Sequence, residues 1–90
     1  MIFDLQLFAE QSLQNQTSAQ LRKGIRSLKK DLDLHLKKIE NPAEYCVDWN
    51  LRDERARAEL IKHWLHEIKN FQESIQNRVD ELDTRGEQYE

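Results

Sequence analysis

Ninety residues with 34% charged side chains, a mean hydropathy of −0.91 and a net charge of −3 make one small, strongly solvated domain. A chain this short buries about 60–65% of its unfolded surface, so its core is modest and self-association adds to it. One proline and two glycines exclude a β-rich fold, and a single cysteine, Cys46, excludes an internal disulfide and suits a reducing compartment.

The chain begins with an arm, residues 1–17. Its first ten residues are apolar in character, with Ile2, Phe3, Leu5, Leu7 and Phe8, and the stretch QSLQNQTS after them is polar and uncharged. With Asp4 and no basic run, the opening does not read as a signal peptide. Asn15-Gln16-Thr17 matches a glycosylation sequon, a pattern short enough to arise by chance. Nowhere is there a run of about 18 apolar residues, so no membrane span is expected.

Thr17 with Gln20 has capping-box spacing, which predicts a helix from residue 18. Leu21, Ile25, Leu28, Leu32, Leu36 and Ile39 then recur at steps of three and four, one face of an α-helix. The helix must stop by residue 40, because Asn41 precedes Pro42 and is pushed out of helical geometry. A connection over residues 41–50 follows, in which Asn41-Pro42-Ala43-Glu44 suggests a single helical turn.

Asn50 with Asp53 repeats the start signal, predicting a second helix over residues 50–85 with Gly86 as its C-cap. Its apolar stripe is Ile61, Trp64, Ile68, Phe71, Ile75, Val79 and Leu82. The expected fold is all-α: residues 18–90 form an antiparallel two-helix hairpin, coiled-coil-like, that dimerises into a four-helix bundle because Leu60 and Leu65 widen the second stripe beyond what one helix covers. A turn centred near Cys46 and Val47 pairs positions whose numbers add to 93–96. Leu28 and Leu32 then meet Trp64 and Ile61, Gly24 lies near Phe71, and Val79 and Leu82 find no partner on the first helix. Charge supports an antiparallel pair: residues 18–40 carry seven basic against three acidic side chains, and residues 51–90 carry seven against ten.

Chemistry-bearing residues are sparse. His63 and His66, near Glu59 and Glu67, read H-x-x-H-E, the wrong order for the zinc-protease patterns, and both histidines project away from the apolar stripe as solvated side chains. His35 is expected to be a partly buried packing residue. Cys46 lacks the nearby histidine that a nucleophilic thiol needs, and no glycine-rich loop exists to cradle phosphate. No catalytic site, metal or cofactor is implied. Arg22, Arg26, Lys29, Lys30 and Lys37, with Lys23, share about a third of the first helix's circumference and form a candidate phosphate-contacting stripe, interrupted by Asp33 and without aromatic readers. Tyr45, Val47, Trp49 and Leu51 either plug the open end of the hairpin or offer an aromatic hot spot to a partner.

Phe3-Asp4-Leu5-Gln6-Leu7-Phe8-Ala9-Glu10, with its LQLFAE core, resembles the opening of head proteins of tailed phages that infect Gram-positive bacteria, where it begins capsid, scaffolding and minor head proteins. Leu60-Ile61-Lys62-His63-Trp64, with Glu67-Ile68 and Asn70-Phe71, is similar to helical segments of small phage and prophage proteins. The chain departs from a capsid protein in being far shorter and all-helical, and no site motif of that group is present to carry over. The resemblance implies a phage protein of the host cytoplasm or the virion, accessory to head assembly; the lack of catalytic motifs makes it non-enzymatic, and the unpaired apolar ends, either Leu5, Leu7 and Phe8 or Tyr45, Val47 and Trp49, are the expected contacts with a protein partner. A second class is a phage-encoded inhibitor that occludes a host defence or replication enzyme. A third, through the basic stripe, is nucleic-acid binding.

Overall fold

The computed structural model describes residues 13–89, and no strand occurs among them. Helix α1 spans Ser18–Glu40, α2 is the short turn Pro42–Tyr45, a 3-10 turn covers Trp49–Leu51, and α3 spans Glu54–Thr84. The two long helices pack against each other as an antiparallel hairpin. No helix among the described residues is long and apolar enough to cross a membrane.

Local chemistry sets the helix ends. The Thr17 hydroxyl accepts from the Gln20 amide at 3.1 Å, while the Gln20 side chain accepts from the Thr17 amide at 2.9 Å, a complete capping box. Pro42 opens α2 as the first helical residue, where its missing N–H costs no hydrogen bond. Helix α3 starts later than the Asn50 signal predicts. Asn50 falls inside the 3-10 turn, Arg52 is extended, and the Asp53 side chain caps α3 by accepting from the Ala56 amide at 2.8 Å. At the far end Gly86 takes φ = 76°, with its amide bonded to the Asp83 carbonyl and that of Glu87 to the Leu82 carbonyl, both at 2.9 Å. This Schellman motif needs a residue without a Cβ penalty in the left-handed region.

The longer connection moves the register. Opposed residues have numbers adding to about 102: His35 meets Glu67, the Lys38 ammonium lies 5.9 Å from the Trp64 ring centroid, and a Cβ on Gly24 would sit 3.0 Å from Arg78 Nε. The expected pairing is therefore displaced by about one heptad. Gly24 faces Arg78 rather than Phe71, and Trp64 lies beside Lys38 rather than Leu28. Val79 and Leu82, expected to lack partners, belong to the tightest part of the molecule. Leu82, Leu21 and Ile25 are fully buried and cluster with Leu13, while Ile75, Val79 and Tyr89 pack around them.

Both seams follow the 3.5-residue repeat of a coiled coil. On α1 it runs through residues 18, 21, 25, 28, 32, 35 and 39, so that His35 is buried and Leu36, four residues beyond Leu32, is left 46% exposed. On α3 it runs through 61, 64, 68, 71, 75, 78, 82 and 85, which brings Arg78 to the seam opposite Gly24.

Candidate functional site

The connection folds around Cys46. Its thiol is buried and donates to Asp48 Oδ1 at 3.0 Å, and Arg52 Nε donates to the same oxygen at 3.1 Å. The hydrogen bond to Asp48, aided by burial, pushes the Cys46 thiol up, and it lowers the Asp48 carboxyl together with Arg52. Cys46 is thus a protonated anchor for the turn, the opposite of an activated nucleophile. Trp49 is half-buried, with the Arg57 guanidinium 5.3 Å from its ring centroid and Arg57 Nε donating to its carbonyl at 2.9 Å. The remaining apolar side chains of the connection do not plug the hairpin. Val47 is fully exposed, Leu51 is 89% exposed and Tyr45 is exposed as well. An ordered turn thereby presents an apolar tip to solvent. Leu5, Leu7 and Phe8, the other expected contact residues, lie outside the described residues.

The basic stripe of α1 divides in two. Arg22 Nη1 donates to the Tyr89 carbonyl at 2.8 Å, and the Lys29 ammonium sits 4.5 Å from the Tyr89 ring centroid. The segment after Gly86 thus folds back along α1 and engages two of the cations expected to meet phosphate. Lys23, Arg26, Lys30 and Lys37 stay exposed. Arg85 fixes the start of the described chain in the same region, donating to Ser18 Oγ at 3.3 Å and to the carbonyls of Leu13 at 3.1 Å and Gln14 at 3.3 Å. Leu13, the lone apolar residue of a polar stretch, is buried there.

The most concentrated chemistry lies mid-seam. Glu67 Oε2 pairs with His35 Nε2 across the helices, and Glu67 Oε1 pairs with His63 Nε2 one turn away on α3 at 2.6 Å. His35 also sets Nδ1 2.9 Å from the Asp31 carbonyl and meets Phe71 edge-on, ring centroids 4.9 Å apart. Burial works to raise the Glu67 carboxyl, but the His35 hydrogen bond and the charges of His63, His35 and Lys38 outweigh it and hold the group below its ordinary value. His63 and His66 do not act as a pair. They line an open cleft with Glu59 and Lys62, and no group of three or more metal-ligating side chains occurs among the described residues. The glutamate that joins imidazoles of two helices is only partly readable in the sequence. His63 and Glu67 have the four-residue spacing of helical neighbours, while His35 requires the strict heptad.

No protein-family model matches the sequence, and neither a curated protein nor a solved structure matches it.

Proposed function

We propose that the chain is a non-enzymatic interaction protein of a tailed phage, accessory to head assembly, that works as a dimer and docks a virion protein on the tip of its hairpin. One observation carries the reading: Val47 and Leu51 stand almost entirely in solvent on a turn pinned by Cys46, Asp48 and Arg52. Apolar side chains fixed on an ordered tip lose little conformational freedom on binding, which favours a protein contact. The LQLFAE-like opening supports the phage assignment, and Leu5, Leu7 and Phe8 extend the proposed contact. Leu36 and Leu65, about half exposed on the long helices, support a second copy packed against the hairpin.

Recovery of the tagged chain from infected cells, beside its Val47→Asp/Leu51→Asp variant, tests the reading. A phage structural protein held by the parent chain and lost from the variant is the expected result. A host enzyme recovered with the same dependence moves the protein to inhibition by occlusion. Nucleic acid retained by both, and released by salt, transfers the function to Arg26, Lys30 and Lys37.

A further inference from the structure

His35 places each ring nitrogen against an oxygen that can only accept. Nδ1 lies 2.9 Å from the Asp31 backbone carbonyl, and Nε2 pairs with a Glu67 carboxylate oxygen. A neutral imidazole has one N–H and satisfies one of them; satisfying both requires a hydrogen on each nitrogen. The alternative, a protonated Glu67 donating to a neutral ring, conflicts with the surroundings of that carboxyl. Lys38 faces it from α1 and His63 from α3, and both favour its anion despite partial burial. Asp31 stands one turn before His35 on α1, and Glu59, Lys62 and His66 sit around His63 at the open cleft.

We infer that His35 and Glu67 form a proton-operated latch between α1 and α3, closed when both nitrogens of His35 carry hydrogen and released when one is lost. Deprotonation leaves a carbonyl or carboxylate oxygen facing a bare ring nitrogen inside the seam, a contact between two acceptors. His35 is buried against the Phe71 edge and cannot turn away freely, whereas His63, with its side chain 62% exposed, can exchange Glu67 for solvent. The latch therefore rests on His35, with His63 as an outer cation that strengthens the Glu67 charge. Closing the latch makes the folded chain hold a proton that the unfolded chain binds less firmly, so helix packing at mid-seam weakens as pH rises. The sign is the reverse of ordinary acid denaturation, in which lowering the pH breaks carboxylate pairs.

Urea unfolding of the full chain, followed by helical circular dichroism at pH 5.5 and 8.5, tests the latch. In the parent chain the folding equilibrium constant should fall about tenfold over this interval, the worth of one charge-assisted hydrogen bond. Glu67→Gln, whose amide can donate or accept, should remove most of that fall, while His63→Gln keeps it. Nitrogen-15 spectra of the unmutated protein give an independent reading: at pH 5.5 His35 should show hydrogen on both ring nitrogens, and on one alone at pH 8.5. A singly protonated His35 at pH 5.5, or an equal fall in the parent and Glu67→Gln chains, overturns the proposal.

Discussion

Replacing Leu82 by alanine is expected to be the most damaging single truncation along α3, and it tests the register of the whole hairpin. Leu82 is fully buried against Leu13, Leu21 and Ile25, with Ile75, Val79 and Tyr89 around it. Removing a buried leucine side chain costs about 3–5 kcal/mol where the surroundings cannot collapse, and here two helices, the start of the described chain and the segment after Gly86 all meet. A domain of this length has roughly 5–10 kcal/mol in total, so a large part of the reserve is lost and Tm falls by about 15 °C or more. Leu51→Ala, at an 89% exposed position, serves as the reference and should stay within about 0.5 kcal/mol of the parent. Urea titration of the helical signal at low micromolar concentration compares the two. In a hairpin centred at Cys46 and Val47, Leu82 overhangs α1 and both variants behave alike. A Leu82→Ala cost no larger than that of Leu51→Ala would refute the observed register.

The polar interruptions of the seam and the exposed Leu65 set the other expectations. Arg78 Nε is buried without a hydrogen-bond partner, and burial pushes its guanidinium down; Arg78→Met should therefore add about 1 kcal/mol, seen as a higher urea midpoint. Gly24→Ala gains helix propensity of about 1 kcal/mol, but its Cβ would lie 3.0 Å from Arg78 Nε, so a double-mutant cycle should show the full gain only beside Arg78→Ala. On the acid side, the Glu67 carboxyl is held below its unfolded value, so its stabilisation is present above that value and lost as pH falls through the folded one; Glu67→Gln should flatten this limb below about pH 4.5. Sedimentation at high micromolar concentration should give about twice 10.8 kDa, and Leu65→Glu should return the chain to the monomer mass.

The helix ends are legible in the sequence because capping is local. Thr17 with Gln20, Asn41 with Pro42, and Gly86 act within one turn of chain, and each acts where the sequence places it. The start of α3 is ambiguous because Asn50 and Asp53 are both good caps; the extended backbone at Arg52 decides for Asp53. Register is not legible from periodicity, because a stripe slid by one heptad still presents apolar side chains to apolar side chains. His35 reads as a partly buried packing residue, as found, but its place at the centre of the seam and its pairing with Glu67 escape for a related reason. From Leu32, a step of four reaches an obvious leucine, while a coiled-coil seam takes the step of three to a histidine. Leu13 gives no periodic signal at all, since its contacts come from distant Leu21, Ile25 and Leu82.

The choice between registers one heptad apart then falls to residues that do not repeat. Leucine and isoleucine fit either pairing about equally well. A glutamate facing a histidine and an arginine facing a glycine each fit only one. In the pairing centred at Cys46 and Val47, Glu67 would lie beside Leu28 and His35 beside Leu60, so both would lose their partners. Leaving one member of a part-buried ionic pair alone costs more than the intact pair contributes, and a polar residue at a seam position therefore specifies register more strongly than it stabilises. Arg78 would at the same time leave the gap at Gly24, and Phe71 would take it and forfeit its edge contact with the His35 ring. The two polar interruptions of the seam thus weaken an otherwise apolar contact while excluding its nearest competitor, and the hairpin retains the register that buries Leu82.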